Sequence, residues 1–241
     1  APWPEESDQI MATALEKKKV FNVESFLKTL DSTNGRDKLG KLIQYVARLS
    51  AWYLTRYNPS DKATIAQAAG VQKGVAGARK LTRLLKWWPL LNKLWETIVK
   101  KGFNQSIIEH LRNISSFGMA NYFFWDNMSW AVGVGLIKGD NAKYSKYSMY
   151  GWFFGLVFAV IIDTLELNKA VTAASKNAES KPASVVYGPV AKKFTLSYAK
   201  NISDLIIATK GIQLADFSEG LLGVCGIVAA LVGFYDLWPA Q

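Results

Sequence analysis

Cysteine and histidine are almost absent from this chain, with one of each, Cys225 and His110, in 241 residues. A lone thiol cannot close an internal disulfide. One imidazole and one thiol cannot build a zinc site from His and Cys, and a Ser-His-Asp or Cys-His triad would have a single histidine to draw on. The glycines at 74 and 77 (GVAG) are not followed by the Gly-Lys-Ser/Thr of a phosphate loop, so helix packing explains them better. Asp163 and Glu166 lie three residues apart and read as a polar helix edge, not as facing carboxylates for glycoside chemistry. Strand-like alternation is sparse. These absences leave no catalytic residue, no metal and no cofactor to expect, and they favour an all-α chain that is not an enzyme.

Basic charge is abundant and lopsided. The formal net charge is +10, and residues 1–120 carry 19 basic and 10 acidic groups against 10 and 9 in residues 121–241. All six arginines lie in the first half. A basic half joined to a nearly neutral hydrophobic half points to an anionic partner, lipid head groups or nucleic acid. No nucleic-acid recognition module is present and the basic helices carry wide apolar stripes, so nucleic acid is not expected.

The opening segment lacks the apolar core and cleavage pattern of a signal peptide, and residues 1–22, including a Lys17–Lys19 run, are expected to be a soluble lead-in. Residues 23–120 form a basic amphipathic region. A short helix over 23–30 should be interrupted at 31–35, where Asp31, Ser32 and Asn34 can cap or turn the chain and Gly35 can take a positive φ. Next, Leu39, Leu42, Ile43, Val46, Leu49, Trp52 and Tyr53 recur at steps of three and four, with Lys38, Lys41, Arg48 and Arg56 on much of the remaining surface and Arg36, Lys38, Lys41 and Arg48 as candidate lipid contacts. A further helix should run from about 62 to 100, kinked or broken at Pro89. There Lys73, Arg79, Lys80, Arg83 and Lys86 flank a stripe of Leu81, Leu84, Leu85, Trp87 and Trp88, a pattern suited to a lipid surface and equally to an ordinary bundle.

Residues 121–241 form the hydrophobic region. A helix from about 106 becomes strongly aromatic, with Asp126, Asn127 and Trp130 read as packing groups between helices. Residues 147–162 and 220–235 are two uncharged runs of 16 residues each. At 1.5 Å per residue such a run reaches about 24 Å, short of the roughly 30 Å hydrocarbon core, so crossing requires buried polar ends, snorkelling or local thinning. Gly220, Gly223 and Gly226 permit close helix contact in the second run. A helix over 190–217 separates them, with Asp204 and Asp216 expected at solvent or at a cap. The fold expected is a membrane-embedded helical bundle with long amphipathic helices and two short hydrophobic ones.

Four landmarks resemble a known family, the peroxin-11 proteins of the peroxisomal membrane. They are Gly35-Arg36-Asp37-Lys38-Leu39 running on to Trp52-Tyr53; Ala78-Arg79-Lys80-Leu81 with Arg83-Leu84; Asn121-Tyr122-Phe123 with Asp126-Asn127, Trp130-Ala131 and Gly135-Leu136; and Gly220-Leu221-Leu222-Gly223 through Trp238-Pro239. Positive-inside reasoning places the basic first half in the cytosol, and the resemblance implies a protein of the peroxisomal membrane. It would bind anionic phospholipid, self-associate as a homo-oligomer, elongate the peroxisomal membrane before division, and recruit a dynamin-related GTPase and its tail-anchored adaptor. It also implies an alternative, a pore for small metabolites. The Leu84-Leu85-Lys86-Trp87-Trp88-Pro89 step departs from the family's Leu-Gly-Lys pattern.

Overall fold

The computed structural model describes residues 21–102, 104–176 and 183–239, and nearly all of the proposed lead-in, with its lysine run, falls outside them. The described residues form helices and no strands: α1 (Val23–Asp31), α2 (Thr33–Tyr57), α3 (Lys62–Thr82), α4 (Trp87–Lys101), α5 (Ile107–Gly133), α6 (Asn141–Lys176), α7 (Ala183–Gly211) and α8 (Glu219–Leu237).

Local chemistry sets the boundaries. The expected five-residue interruption shrinks to Ser32, whose hydroxyl donates to the Thr29 carbonyl and accepts from the Gly35 amide, both at 2.9 Å. Gly35 is therefore helical, and its lack of a side chain serves close approach, because a Cβ there would overlap the Thr29 carbonyl. Asp61 caps α3 through the Thr64 amide at 3.1 Å. Ser106 and Glu109 close a capping box on α5.

The helix expected over 62–100 breaks ahead of the proline, at Arg83–Lys86, not at Pro89 itself. A proline ring clashes with the carbonyl four residues earlier, here that of Leu85. Leu85 accordingly leaves the helical region with φ 59°, a left-handed conformation that disfavours a branched side chain. Asn127 of α5 holds the turn: its Oδ1 accepts from the Leu85 amide at 3.0 Å and its Nδ2 donates to the Arg83 carbonyl at 3.3 Å.

Neighbouring helices run antiparallel in the spatial order α3, α2, α8, α7, α6, α5, α4, and α3 also reaches α5. Two interfaces depend on glycine. On α8, Gly220, Gly223, Gly226 and Gly233 present one bare face to Trp52, Leu49, Tyr45 and Lys38 of α2 in turn. On α5 and α6, Gly118, Gly151 and Gly155 bring the two backbones together, so that a Cβ on Gly118 would lie 2.7 Å from the Gly155 amide nitrogen. An apolar nucleus of Tyr45, Tyr122, Trp152, Leu156, Ile207, Leu222 and Cys225 joins α2, α5, α6, α7 and α8.

Candidate functional site

Beside the apolar nucleus, several polar groups are buried and several large apolar side chains are exposed. Asp37, Lys41, Arg79, Arg83, Asp126, Asn127, Ser129, Ser148 and Asp204 are buried, while Leu85, Trp88, Trp95, Val99, Phe117, Phe154, Val224 and Leu231 are exposed. An exposed apolar rim around buried, mutually paired charges is what a bundle surrounded by lipid requires.

The interior charges form connected pairs. Arg79 places Nε 3.1 Å from Asp37 Oδ1 and donates from Nη1 to Gln44 at 2.7 Å. Arg83 places Nη2 2.8 Å from Asp126 Oδ2, donates to the Tyr122 hydroxyl, and lies 3.8 Å from Asp37 through Nε. The Arg83–Asp126 contact is an ion pair without hydrogen-bond alignment, and Arg83 Nε has no hydrogen-bond partner. Lys80 reaches Ser129 at 2.7 Å and Asp126 at 3.8 Å. Lys41 pairs with Asp204. Burial alone would raise the Asp37 carboxyl, but Arg79 and Arg83 outweigh it and hold the group below its ordinary value.

Burial pushes Lys41 down to about 8, with Asp204 opposing the shift. The folded chain therefore releases this proton near pH 8, whereas the unfolded chain keeps it to about 10.5. Between those values the unfolded state binds more protons, so this group makes stability rise with pH and lose that gain as pH falls back towards 8. Thermal melts in detergent between pH 8 and 10.5 should show this rise in the wild type and lose it in a Lys41→Met, Asp204→Leu double variant.

The residues singled out from sequence as lipid contacts thus divide. Lys41, Arg79 and Arg83 are turned into the bundle, Lys80 is mostly enclosed, and Arg48 pairs with Glu219 at 2.6 Å. Lys73 is exposed, and Arg36 is exposed with its Nε donating to the Leu30 carbonyl at 2.7 Å. Half-buried Lys38 has no hydrogen bond or ion pair among the described residues, and Lys86 donates to Asn34 at 2.6 Å. Trp87 packs edge-on against Phe124, whereas Trp88 is 62% exposed. Of the packing residues, Asp126 and Asn127 are buried and Trp130 is half-buried. Asp204 was expected at solvent or a cap and is instead buried against Lys41. It is the one acid between Glu179 and Asp216, set beside Leu205 and Ile206, and a lone acid in an apolar stripe is a sequence signal for a buried partner.

The two uncharged runs lie inside α6 and α8, both long and apolar enough to cross a membrane. Their ends coincide across α7. Lys146 and Glu219, ahead of the runs, bond to Gln213 and Lys210, while Asp163 and Asp236, after them, bond to Asn201 and Lys200. Phe154 and Ile161 on α6 and Leu221, Val224 and Leu231 on α8 point outward.

These features define a membrane-embedded helical protein. The sequence matches the family described as Peroxisomal biogenesis factor 11 (PEX11) over residues 23–238. It is similar to a peroxisomal membrane protein 11 homolog of Dictyostelium discoideum (31% identical, covering 90% of this chain and 94% of the relative) and to peroxisomal membrane protein PMP30A of Candida boidinii (31%, 90% and 94%). Peroxisomal membrane protein 11B of Arabidopsis thaliana is 26% identical, covering 90% of this chain and 98% of the relative. The chain belongs to the PEX11 family and is a peroxisomal membrane protein with a role in peroxisome biogenesis. No solved structure matches it.

Proposed function

We propose that the chain remodels and elongates the peroxisomal membrane ahead of division by wedging the α3–α4 turn into one leaflet. The observation that carries this reading is the turn itself: Leu81, Leu84, Leu85 and Trp88 are 50%, 40%, 64% and 62% exposed, with Lys86 beside them. Apolar side chains of this kind seat about 5–10 Å into the head-group boundary. Cations near the surface add about 1 kcal/mol each with anionic lipid. Lys73 and Arg36 extend the same basic surface. Arg79, Lys80 and Arg83 act from behind, fixing the turn against α2 and α5, and Lys41 ties α2 to α7 through Asp204.

Positive charge concentrated in the first 120 residues supports a cytosolic N-terminal region. Self-association would gather the wedges into a curved patch. Recruitment of a dynamin-related GTPase and a tail-anchored adaptor completes the proposal on family grounds. In proteoliposomes containing anionic lipid, the full chain should draw out tubules, and a Leu84→Ser, Leu85→Ser, Trp88→Ser variant should lose them. Retained tubulation in that variant would end the wedge reading.

A second reading, a pore for small metabolites, is favoured by the charged interior. Discrete conductance steps in planar bilayers would support it over the wedge.

A further inference from the structure

A second feature lies apart from the α3–α4 turn. A cleft of about 400 Å³ lies between α4, α5 and α6. Its wall carries charges of both signs, Lys93 and Arg112 against Glu109 and Asp163, set over Leu94 and Ile162. Asp163 is the first charged residue after the uncharged run of α6, so the cleft opens where apolar surface gives way to charge. The Lys93 ammonium has no hydrogen bond or ion pair among the described residues. Arg112 spends one nitrogen on Glu166. Asp163 accepts from Ser197 and Asn201 through Oδ2, both at 2.8 Å, which leaves Oδ1 to another donor.

We propose that this cleft binds the head group of a single phospholipid that carries both a phosphate and a primary ammonium, of the phosphatidylethanolamine type. Lys93 and Arg112 hold the phosphate, an arrangement that charge-assisted hydrogen bonds make strong and directional. The ammonium donates to Asp163. A trimethylammonium head group has no N–H to donate, and an anionic glycerol head group offers only neutral hydroxyls, which leave the carboxylate charge uncompensated. The mixture of charges distinguishes this cleft from the all-cationic α3–α4 turn, and the proposal stands whether or not that turn acts as a wedge. Leu94 and Ile162 at the apolar side of the cleft favour a lipid over a free phosphomonoester, because they provide surface for the glycerol and upper acyl carbons.

The test is native mass spectrometry of the full chain in detergent with phosphatidylethanolamine, phosphatidylcholine and phosphatidylglycerol of matched acyl chains, and with soluble phosphoethanolamine. The expected result is about tenfold stronger retention of phosphatidylethanolamine than of the other two lipids, the size of one charge-assisted hydrogen bond. Asp163→Asn should remove that preference, Lys93→Ala and Arg112→Ala should each weaken retention of all three lipids, and Lys169→Ala, on α6 away from the cleft, should change neither. Lys93 holds no other group in place, so its variant tests the site even where Arg112→Ala, which frees Glu166, fails to fold. Equal retention of the three lipids, an unchanged preference in folded Asp163→Asn, or unchanged retention in folded Lys93→Ala would overturn the proposal. Equal binding of soluble phosphoethanolamine would overturn the lipid assignment in favour of a free phosphomonoester.

Discussion

Replacing Asp126 with leucine is expected to cost about 3–5 kcal/mol of stability, the usual penalty for stripping a buried charge of its counter-ion. Arg83 is 7% exposed and would keep only the Tyr122 hydroxyl and the more distant Asp37. Lys80 would lose its carboxylate as well. Removing both halves tells a different story. An Arg83→Met, Asp126→Leu double variant exchanges a pair for apolar contacts of similar volume and should return most of that loss, since the desolvation cost disappears with the attraction. Unfolding in mixed dodecyl maltoside and dodecyl sulfate micelles, followed by circular dichroism, gives all three values. Equal losses in the single and double variants would show that the pair contributes through packing and not through charge.

Gly118→Leu should destabilise by about 3 kcal/mol, the upper end for overpacking, because the colliding atoms are α6 backbone that cannot rotate away. The Gly155 nitrogen stands 2.7 Å and the Gly151 carbonyl oxygen 3.0 Å from the position of the new Cβ. Gly74→Ala on α3 has the opposite expected sign. Nothing lies within 4 Å of its Cβ, so the change only relieves the helix of a glycine and should gain about 0.5–1 kcal/mol. The same unfolding titration reads both, and a loss at Gly74 would mean that this face of α3 is covered by something else in the micelle.

The two glycines mark how far sequence reading reaches. Periodicity located the helices, because apolar steps of three and four are a property of each segment alone. The coincidence of the two 16-residue runs across α7 was out of reach, since it depends on hydrogen bonds such as Asp163 to Asn201 between segments remote in sequence. Pro89 signalled a break, but the break falls at the residue whose carbonyl the ring strikes, four positions earlier. The basic residues were the hardest to place. Lys38 and Lys41 lie on one amphipathic helix, and only tertiary packing against Asp204 separates the cation that is paired inside from the one left without a partner. Charge counts alone treat both as surface. An acid such as Asp204 amid isoleucine and leucine carries the more useful warning.

The placement of α8 between α2 and α7 has a consequence for how the protein is made. Lys41 waits for Asp204, more than 160 residues later in the chain, and the bare glycine face that closes over Tyr45 and Leu49 belongs to α8, which is made later still. Contacts of such sequence separation form slowly. Until α7 and α8 are made, α2 presents an unmatched ammonium and aromatic rings on an open side, so the nascent chain exposes a surface that the folded protein no longer displays.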